Sequence, residues 1–246
     1  MARPLLLNFG EILWDRFPDT RRPGGSPFNV SLHARHLGLD ARLLSAVGRD
    51  PLGDELLAYA ADCGLSTGLL ARLDAPTGVV DVAFDAQGEP SYAIAEGAAW
   101  DRIPCGRAEL DTAGQAAGLV FASLAQRSAA NRRALDAILG ALPGEAMVVF
   151  DLNLRPPHVD RARIESLVAA SNVIKCNRDE WAAVREWFSL DGSDEEAARR
   201  LMVHTRIEAV LITLGGDGAM VVPAGGGLVR QGVVPWKGAK PGEGDL

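Results

Sequence analysis

Clusters of polar residues follow several short apolar runs in this chain, and the first cluster combines a carboxylate, an amide and two glycines. Asp15 precedes the pair Gly24 and Gly25, and Asn29 comes four residues after that pair. A carboxylate and an amide together can bind neighbouring hydroxyl groups, while glycine lets a ligand approach the backbone closely. The pattern indicates a polyhydroxy ligand, although a turn followed by a capped helix requires the same residue types.

A second polar cluster, Asp151, Asn153 and Arg155, directly follows the apolar run 147–150. Ligands of open α/β sheets bind outside the carboxyl ends of the strands. A carboxylate, an amide and a guanidinium at such a position suit an anionic or polyhydroxy ligand, because Arg binds oxyanions with two parallel donors. A surface salt bridge explains these residues nearly as well.

Two weaker signals follow the next apolar runs. Asn177 and Glu180 have the spacing of a capping box, and capping alone explains them. In the alternative, Glu180 orders water around Mg²⁺ near phosphates, because Mg²⁺ keeps several waters and needs few protein ligands. The glycine-rich segment 213–218 is a weak signal, since a glycine turn between two strands has the same composition.

Composition and missing signatures exclude several function classes. The chain has 246 residues, of which 48% are hydrophobic and 23% are charged, as in an ordinary globular domain. Its net charge of -7 argues against a nucleic-acid partner, which requires clustered basic residues. The phosphate-loop, dinucleotide-binding and HExxH zinc-protease signatures are absent from the sequence, which disfavours those enzyme classes.

The cysteines and the apolar runs indicate a cytoplasmic protein without a membrane partner. The three cysteines are far apart and form no C-x-x-C pair, which favours a reducing compartment. The N-terminal apolar run 5–7 is too short for a signal peptide, and no run reaches the 18 or more apolar residues of a membrane span.

Short strand-like runs alternate with helical patterns along the chain, which predicts an α/β fold with a mainly parallel sheet. Helices are expected to begin at Ser26-Pro27 and at Asp50-Pro51, where a capping residue precedes a proline. Segments 77–84 and 91–95 flank a turn-like sequence and predict a hairpin that forms a lid. The run 147–150 is typical of a strand buried on both faces. The remaining predicted strands are 5–9, 41–47, 119–122, 173–176, 209–214, 219–222 and 228–234, and further helices follow Ser128, Asn177 and Ser193.

Together, the polar and glycine motifs occur in an order that resembles the ribokinase-like (PfkB) carbohydrate kinases. Within that family the chain is most similar to the fructokinase and 2-keto-3-deoxygluconate kinase branch. The resemblance spans nearly the whole chain and depends on seven ordered segments: Gly10-Glu11-x-x-x-Asp15, Gly24-Gly25-x-x-x-Asn29, Leu37-Gly38, Gly48-x-Asp50-x-x-Gly53, Asp151-x-Asn153-x-Arg155, Asn177-x-x-Glu180 and Thr213-Leu214-Gly215-x-x-Gly218.

The resemblance implies one three-layer α/β/α domain over residues 1–246, with a small β lid formed by about 12–24 and 77–97. It implies ATP as donor, Mg²⁺, a small-molecule sugar as acceptor, and a homodimer that forms through the lid. Glu180 would contact the metal through water. The implied sugar-binding residues are Asp15, Gly24, Gly25, Asn29, Asp151, Asn153 and Arg155, and the implied nucleotide-binding residues are Asn177, Glu180, Thr213, Gly215 and Gly218.

The end of the chain departs from the family pattern D-T-x-G-A-G-D, whose glycines hold the transferring phosphoryl group and whose last Asp is the general base. Gly242, Gly244 and Asp245 resemble part of that motif, which makes Asp245 the implied base. Ala239-Lys240 replaces Asp-Thr, and Glu243 puts a carboxylate where it would repel phosphate. We therefore expect a chain truncated at its C-terminus that lacks the helices following this motif.

The sequence thus predicts an ATP-dependent carbohydrate kinase that transfers the γ-phosphoryl group to a sugar hydroxyl, with fructokinase-like specificity. Two alternatives stay open. The first is a catalytically inactive, truncated member of the family that binds sugar or dimerises. The second is a nucleoside kinase of the same fold.

Overall fold

The structure is a computed structural model that describes residues 3–84 and 90–233, and over these residues the chain alternates strands and helices. The strands are β1 Leu5–Phe9, β2 Leu13–Arg16, β3 Arg21–Gly24, β4 Asp40–Gly48, β5 Leu70–Leu73, β6 Gly78–Phe84, β7 Pro90–Ile94, β8 Gly118–Ala122, β9 Met147–Asp151, β10 Val173–Asn177, β11 Ala209–Thr213, β12 Ala219–Pro223 and β13 Val229–Gln231. The helices are α1 Ser26–His36, α2 Pro51–Asp62, α3 Arg107–Ala113, α4 Ala129–Ala141, α5 Arg161–Ala170, α6 Arg178–Trp187 and α7 Asp194–His204.

Among the described residues, nine strands form the main sheet in the order β13-β12-β11-β10-β9-β8-β1-β4-β5. From β5 to β11 all neighbouring strands are parallel, while β12 and β13 pair antiparallel at one edge. The chain builds outward from β1 through β4 and β5, then returns to the other side of β1 with β8. Because the strand order reverses at β1, a crevice opens outside the carboxyl ends of β1 and β8.

Helices cover the sheet from both sides, as the predicted three-layer fold requires. On one face α3 to α7 pack against a core that contains Phe9, Phe121 and Phe150, and the rings of the last two stack at 5.0 Å. On the other face α1 and α2 pack on Leu43 through Phe28 and Leu56. Neighbouring strand residues point to opposite faces, so β1 and β4 contribute apolar side chains to both cores.

The prediction that β9 is buried on both faces is wrong. Val148 and Phe150 are buried under the helices, but Met147 is 42% exposed and Val149 is only partly buried. The adjacent strands β10 and β11 show the same alternation of buried and partly buried residues. A continuous apolar run therefore indicates a strand, but it does not show whether helices cover one face of that strand or both.

A separate four-stranded sheet, in the order β3-β2-β6-β7, covers the crevice. Its strands lie within the two segments that the resemblance assigns to a lid, and β6 and β7 pair antiparallel as the sequence predicts. The turn at 85–89 lies outside the described residues. The resemblance implied a β lid over about 12–24, but the residue pattern alone did not indicate β2 or β3, and Pro23 and Gly24 within β3 are typical of turns. That this sheet moves as a lid stays a prediction.

Arg127 joins the small sheet to the main domain. Its guanidinium donates to the carbonyl oxygen of Ala95 over 2.6 Å, just beyond β7. The same group pairs with Asp101 at 2.8 Å and lies 4.2 Å from the ring of Trp100. The side chains of Arg127 and Asp101 are 7% and 10% exposed, so this is a largely buried ion pair whose two charges depend on one another.

The predicted helix starts are largely confirmed. Asp50 and Ser128 accept hydrogen bonds from backbone N–H groups three residues later, over 2.8 and 3.0 Å. Ser26 is an exception: Gly25 is the capping position of α1, and Ser26 is the first helical residue. Strand β5 and helix α3 were not predicted. No helix among residues 3–84 and 90–233 is long and apolar enough to span a membrane.

The segment Gly64-x-Ser66-x-Gly68 matches the GxSxG pattern of hydrolase nucleophiles, but its setting differs from theirs. It follows α2 and precedes β5, so it joins a helix to a strand rather than a strand to a helix. The hydroxyl of Ser66 accepts a hydrogen bond from the backbone N–H of Gly68 over 3.4 Å. The segment is therefore a surface turn.

Candidate functional site

A small cavity lies between the four-stranded sheet and the carboxyl edge of the main sheet. Its volume is about 220 Å³. Five of the seven residues predicted to bind sugar line it, whereas Gly24 and Asp151 do not. The residues that line the cavity are Glu11, Leu13, Asp15, Gly25, Ser26, Asn29, Val80, Tyr92, Ile94, Leu124, Asn153 and Arg155. The lining thus combines a polar floor with apolar side chains from β2, β6 and β7.

The two adjacent glycines allow close packing of the turn before α1, one against a backbone carbonyl and the other against a carboxylate. Gly25 has φ of 112°, and an added Cβ would overlap the backbone carbonyl of Glu11. An added Cβ at Gly24 would overlap the carboxylate of Asp15. Gly24 therefore packs against the carboxylate of Asp15 and does not line the cavity. Glycine therefore lets the turn before α1 pack against the backbone of Glu11 at position 25 and against the carboxylate of Asp15 at position 24.

Glu11 is a cavity residue that the sequence reasoning did not assign to the site, although Gly10-Glu11 belongs to the family-like motif. It is 2% exposed, and its Oε1 accepts a hydrogen bond from the backbone N–H of Ser26 over 3.2 Å. Among the described residues, Oε2 has no hydrogen-bond partner. Burial raises the pKa of Glu11 to about 7, against smaller opposing effects of backbone hydrogen bonds. A carboxyl group among apolar residues was the available signal in the sequence.

Asp151 ties the cavity to the centre of the main sheet. Its Oδ2 accepts a hydrogen bond from the hydroxyl of Ser26, the first residue of α1, over 3.0 Å. Its Oδ1 lies 3.0 Å from Nζ of Lys175 on the neighbouring strand. Asp151 is thus held beside the cavity and fixes the first turn of α1 against the end of β9.

The loop after β9 brings Asn153 and Arg155 into the cavity. Asn153 has φ of 39°, a left-handed conformation that Asn adopts more readily than most residues. The hydroxyl of Ser123 donates to its carbonyl oxygen over 3.1 Å. The guanidinium of Arg155 lies 5.5 Å from the ring of Tyr92. Burial raises the pKa of Asp15, and the positive charge of Arg155 opposes that rise.

Asn177 and Glu180 form the capping box of α6. Glu180 accepts from the backbone N–H of Asn177 through Oε2 and from that of Leu154 through Oε1, each over 2.8 Å. The Asn177 side chain accepts from the N–H of Glu180 over 2.8 Å. Glu180 therefore has a structural role that the sequence did not reveal: it holds the loop before Arg155 against the start of α6.

These contacts also test whether Glu180 suits a metal. Residues 3–84 and 90–233 contain no group of three or more His, Cys, Asp or Glu side chains that could bind a metal ion. Glu180 is 6% exposed, and each of its carboxylate oxygens already accepts one backbone hydrogen bond, which leaves at most one further acceptor position on each oxygen for water. The arrangement fits a water-mediated contact with Mg²⁺ and not a dedicated metal cage.

The residues predicted to bind nucleotide lie at the ends of β10 and β11. Thr213 is directly opposite Asn177 in the parallel register. Gly215 has φ of 58°, and an added Cβ would meet nothing within 4 Å, so its backbone faces open space. Gly218 has φ of 95°, and an added Cβ would overlap the carbonyl of Gln231. Packing against the segment after β12 explains Gly218, whereas Gly215 leaves backbone accessible to a ligand.

The predicted clusters therefore meet at one edge of the molecule. Asp151, Asn177 and Thr213 end three adjacent parallel strands. Ser26 links Asp151 to the cavity, and Glu180 links the start of α6 to the loop that carries Arg155. The individual roles of these residues stay predictions. The residues predicted for catalysis, Gly242, Gly244 and Asp245, lie outside the described residues.

Two proteins are similar to this chain in sequence, and a third is similar to it in structure. A 5-dehydro-2-deoxygluconokinase of Bacillus cereus is 25% identical over 237 residues, which cover 92% of this chain and 71% of that protein. A sugar kinase of Pyrococcus horikoshii is 26% identical over 136 residues, 55% of this chain but only 44% of that protein. A structure of fructokinase with bound ATP from Xylella fastidiosa has a TM-score of 0.80 at 22% identity, over 95% of this chain and 76% of that chain.

The structural similarity confirms the ribokinase-like fold, and the sequence similarity goes further. The family model described as pfkB family carbohydrate kinase matches residues 17–241, which is most of the chain. The matched range includes the cavity-lining Asn29 and Arg155 as well as the strand ends at Asn177 and Thr213. The chain therefore belongs to the pfkB family of carbohydrate kinases.

Proposed function

We propose that this protein is an ATP-dependent carbohydrate kinase that transfers the γ-phosphoryl group to a hydroxyl of a monosaccharide, with fructokinase-like specificity. One observation carries the proposal. Five of the residues predicted to bind sugar, from separate parts of the sequence, line one cavity, and the loop that carries two of them is bonded to Glu180 at the strand end predicted to bind nucleotide. Phosphoryl transfer requires this adjacency, because catalysis depends mostly on positioning donor and acceptor.

The cavity suits a small polyol. Its volume of about 220 Å³ lies below the roughly 300–1,000 Å³ of pockets for drug-sized ligands. The carboxylate of Asp15 and the amide of Asn29 would bind neighbouring hydroxyls, and Arg155 would stand beside the path of the phosphoryl group. Apolar side chains such as Leu13 and Val80 would contact the carbon skeleton of the sugar and exclude water.

ATP and Mg²⁺ complete the proposal. The fructokinase of similar fold has bound ATP, and here Gly215 leaves an accessible backbone beside Thr213. ATP would supply the phosphoryl group, and Mg²⁺ would neutralise its charge. Glu180 would hold water of the metal shell, and Asp245 would accept the proton of the sugar hydroxyl.

The four-stranded sheet would act as the lid of this cavity and as the contact between two copies of the chain. Tyr92 on β7 lines the cavity and is also 49% exposed, so the strand has a side available to a second molecule. Size-exclusion chromatography with light scattering measures the oligomeric state. A dimer that Tyr92→Glu converts to a monomer would support this arrangement, and a wild-type monomer would contradict it.

A coupled assay of ADP release tests the kinase proposal. ATP and Mg²⁺ are supplied with D-fructose, 2-keto-3-deoxygluconate or a nucleoside as acceptor. We expect turnover with fructose, and we expect Asp245→Asn to lower kcat at least about a hundredfold, the usual minimum for a general base. Asp15→Asn is expected to raise KM instead, because Asp15 lines the cavity.

The other outcomes identify the alternatives. Calorimetric binding of sugar without ADP release would favour a catalytically inactive sugar-binding protein. Turnover with a nucleoside but not with fructose would favour a nucleoside kinase of the same fold. An unchanged rate in Asp245→Asn would remove Asp245 from the mechanism while leaving the acceptor assignment in place.

A further inference from the structure

Glu11 is a buried carboxyl group in the cavity, and the predicted sugar site does not use it. It lines the cavity and is 2% exposed. The backbone N–H of Ser26 donates to Oε1 over 3.2 Å, whereas Oε2 has no partner among the residues that the structure describes. A buried polar atom without a partner is unfavourable, so a bound hydroxyl group that donates to it would be stabilising.

The charges around the cavity are unequal. Two carboxyl groups, those of Glu11 and Asp15, line it together with one guanidinium, that of Arg155. Burial raises the pKa of both carboxyl groups, the charge of Asp151 adds to the rise for Glu11, and the charge of Arg155 opposes the rise for both. Lys175 does not correct the balance, because it is paired with Asp151 at 3.0 Å. The single positive charge of Arg155 thus acts on two carboxyl groups before any ligand binds.

We propose that Glu11 binds a hydroxyl group of the acceptor sugar through Oε2 and makes the cavity selective for uncharged sugars over sugar acids. The inference rests on the proposed kinase function. A neutral sugar supplies a hydroxyl donor without adding charge. A sugar acid would place a third carboxyl group beside a single guanidinium, so Glu11 or Asp15 would have to take up a proton for it to bind.

Binding measurements test this role without depending on turnover. D-fructose and 2-keto-3-deoxygluconate are titrated calorimetrically into wild-type protein, Glu11→Gln and Glu145→Gln at about pH 8. Gln keeps a carbonyl oxygen for the N–H of Ser26 but removes the negative charge. Glu145 is exposed and precedes β9, outside the cavity lining, so its substitution is the matched control.

We expect the wild type and Glu145→Gln to bind fructose at least about tenfold more tightly than the sugar acid, the effect of about one pKa unit. Glu11→Gln is expected to lower that preference about tenfold. A purely structural role would weaken both ligands equally and leave their ratio unchanged. An unchanged ratio in folded Glu11→Gln therefore overturns the inference.

Failure of the kinase proposal has a different signature. If the wild type binds neither ligand, the proposed function fails and the inference fails with it. If the wild type binds fructose but its preference for fructose does not change in Glu11→Gln, only the inference fails.

If Glu11→Gln does not fold, as judged by circular dichroism, a second variant tests the inference. Glu11→Asp withdraws the carboxyl group by one methylene. It is expected to weaken fructose binding at least about fivefold, and unchanged affinity would overturn the inference.

Discussion

Burial of Glu11 makes the stability of the folded chain depend on pH, and Glu11→Gln is expected to remove that dependence. Desolvation raises the pKa of Glu11 from 4.5 to about 7. Between these two values the folded chain holds a proton that the unfolded chain has released, so raising the pH favours unfolding. The stabilisation is complete below the unfolded pKa and is lost as the pH rises through about 7.

The size of the effect follows from the shift. The rise from 4.5 to about 7 corresponds to about 3 kcal/mol, at about 1.4 kcal/mol per pKa unit. Roughly 2.5 kcal/mol of this is lost between about pH 5 and pH 8, where both forms of the chain can be studied. Full burial of Glu11 leaves little solvent screening to reduce the value.

Urea unfolding of the wild type and Glu11→Gln over this pH range measures the effect. The difference between their free energies of unfolding cancels the groups that titrate in both proteins. We expect the free energy of unfolding of the variant to rise by about 2.5 kcal/mol, relative to that of the wild type, between about pH 5 and pH 8. Glu145→Gln, at an exposed position, is the control and should show a difference that does not change with pH. The same constant difference in Glu11→Gln would refute the reasoning, because it would mean that folding does not perturb Glu11.

Three further substitutions test the packing around the site, each by urea unfolding. Gly25→Ala places a Cβ at φ of 112° in overlap with a backbone carbonyl and should lower the free energy of unfolding by about 3 kcal/mol or more. Its control, Gly38→Ala, places a Cβ at φ of 90° in open space and should lower it by about 1 kcal/mol. Glu180→Gln leaves one of two backbone N–H groups unpaired and should cost about 1–3 kcal/mol; Glu196→Gln, at an exposed capping box, should cost less than about 1 kcal/mol. Arg127→Ala leaves a buried carboxylate unpaired and should cost about 3–5 kcal/mol, so a loss below about 1 kcal/mol would contradict the described ion pair.

Much of the local structure could be predicted from neighbouring residues. Asp50, Ser128 and Asn177 cap helices as their spacing indicates, because a cap is a contact between residues only three positions apart. The parallel sheet follows from the alternation of apolar runs and helical patterns. Its topology then accounts for the single edge at which the polar clusters meet, since parallel strands share their carboxyl ends.

The resemblance assigned Gly24 and Gly25 the same role, yet they lie in different surroundings. Gly25 lines the cavity, while Gly24 supports Asp15 from behind. Likewise, the capping box at Glu180 was visible in the sequence, but its bond to the backbone of Leu154 was not. The spacing of residues shows which of them can contact each other within one helical turn, but it does not reveal a second partner from a loop elsewhere in the chain.

By itself, the sequence determined the order of most strands and helices, most helix starts and the residues available for a polyol site. Only the tertiary structure decided that Ser26 bonds Asp151, that β9 has one partly open face, and that Glu11 lines the cavity with an unpartnered oxygen. The physical reason is range. Caps and turns are set by backbone geometry over a few residues, whereas burial and contacts such as that between Ser26 and Asp151 depend on distant segments that meet only when the sheet has formed.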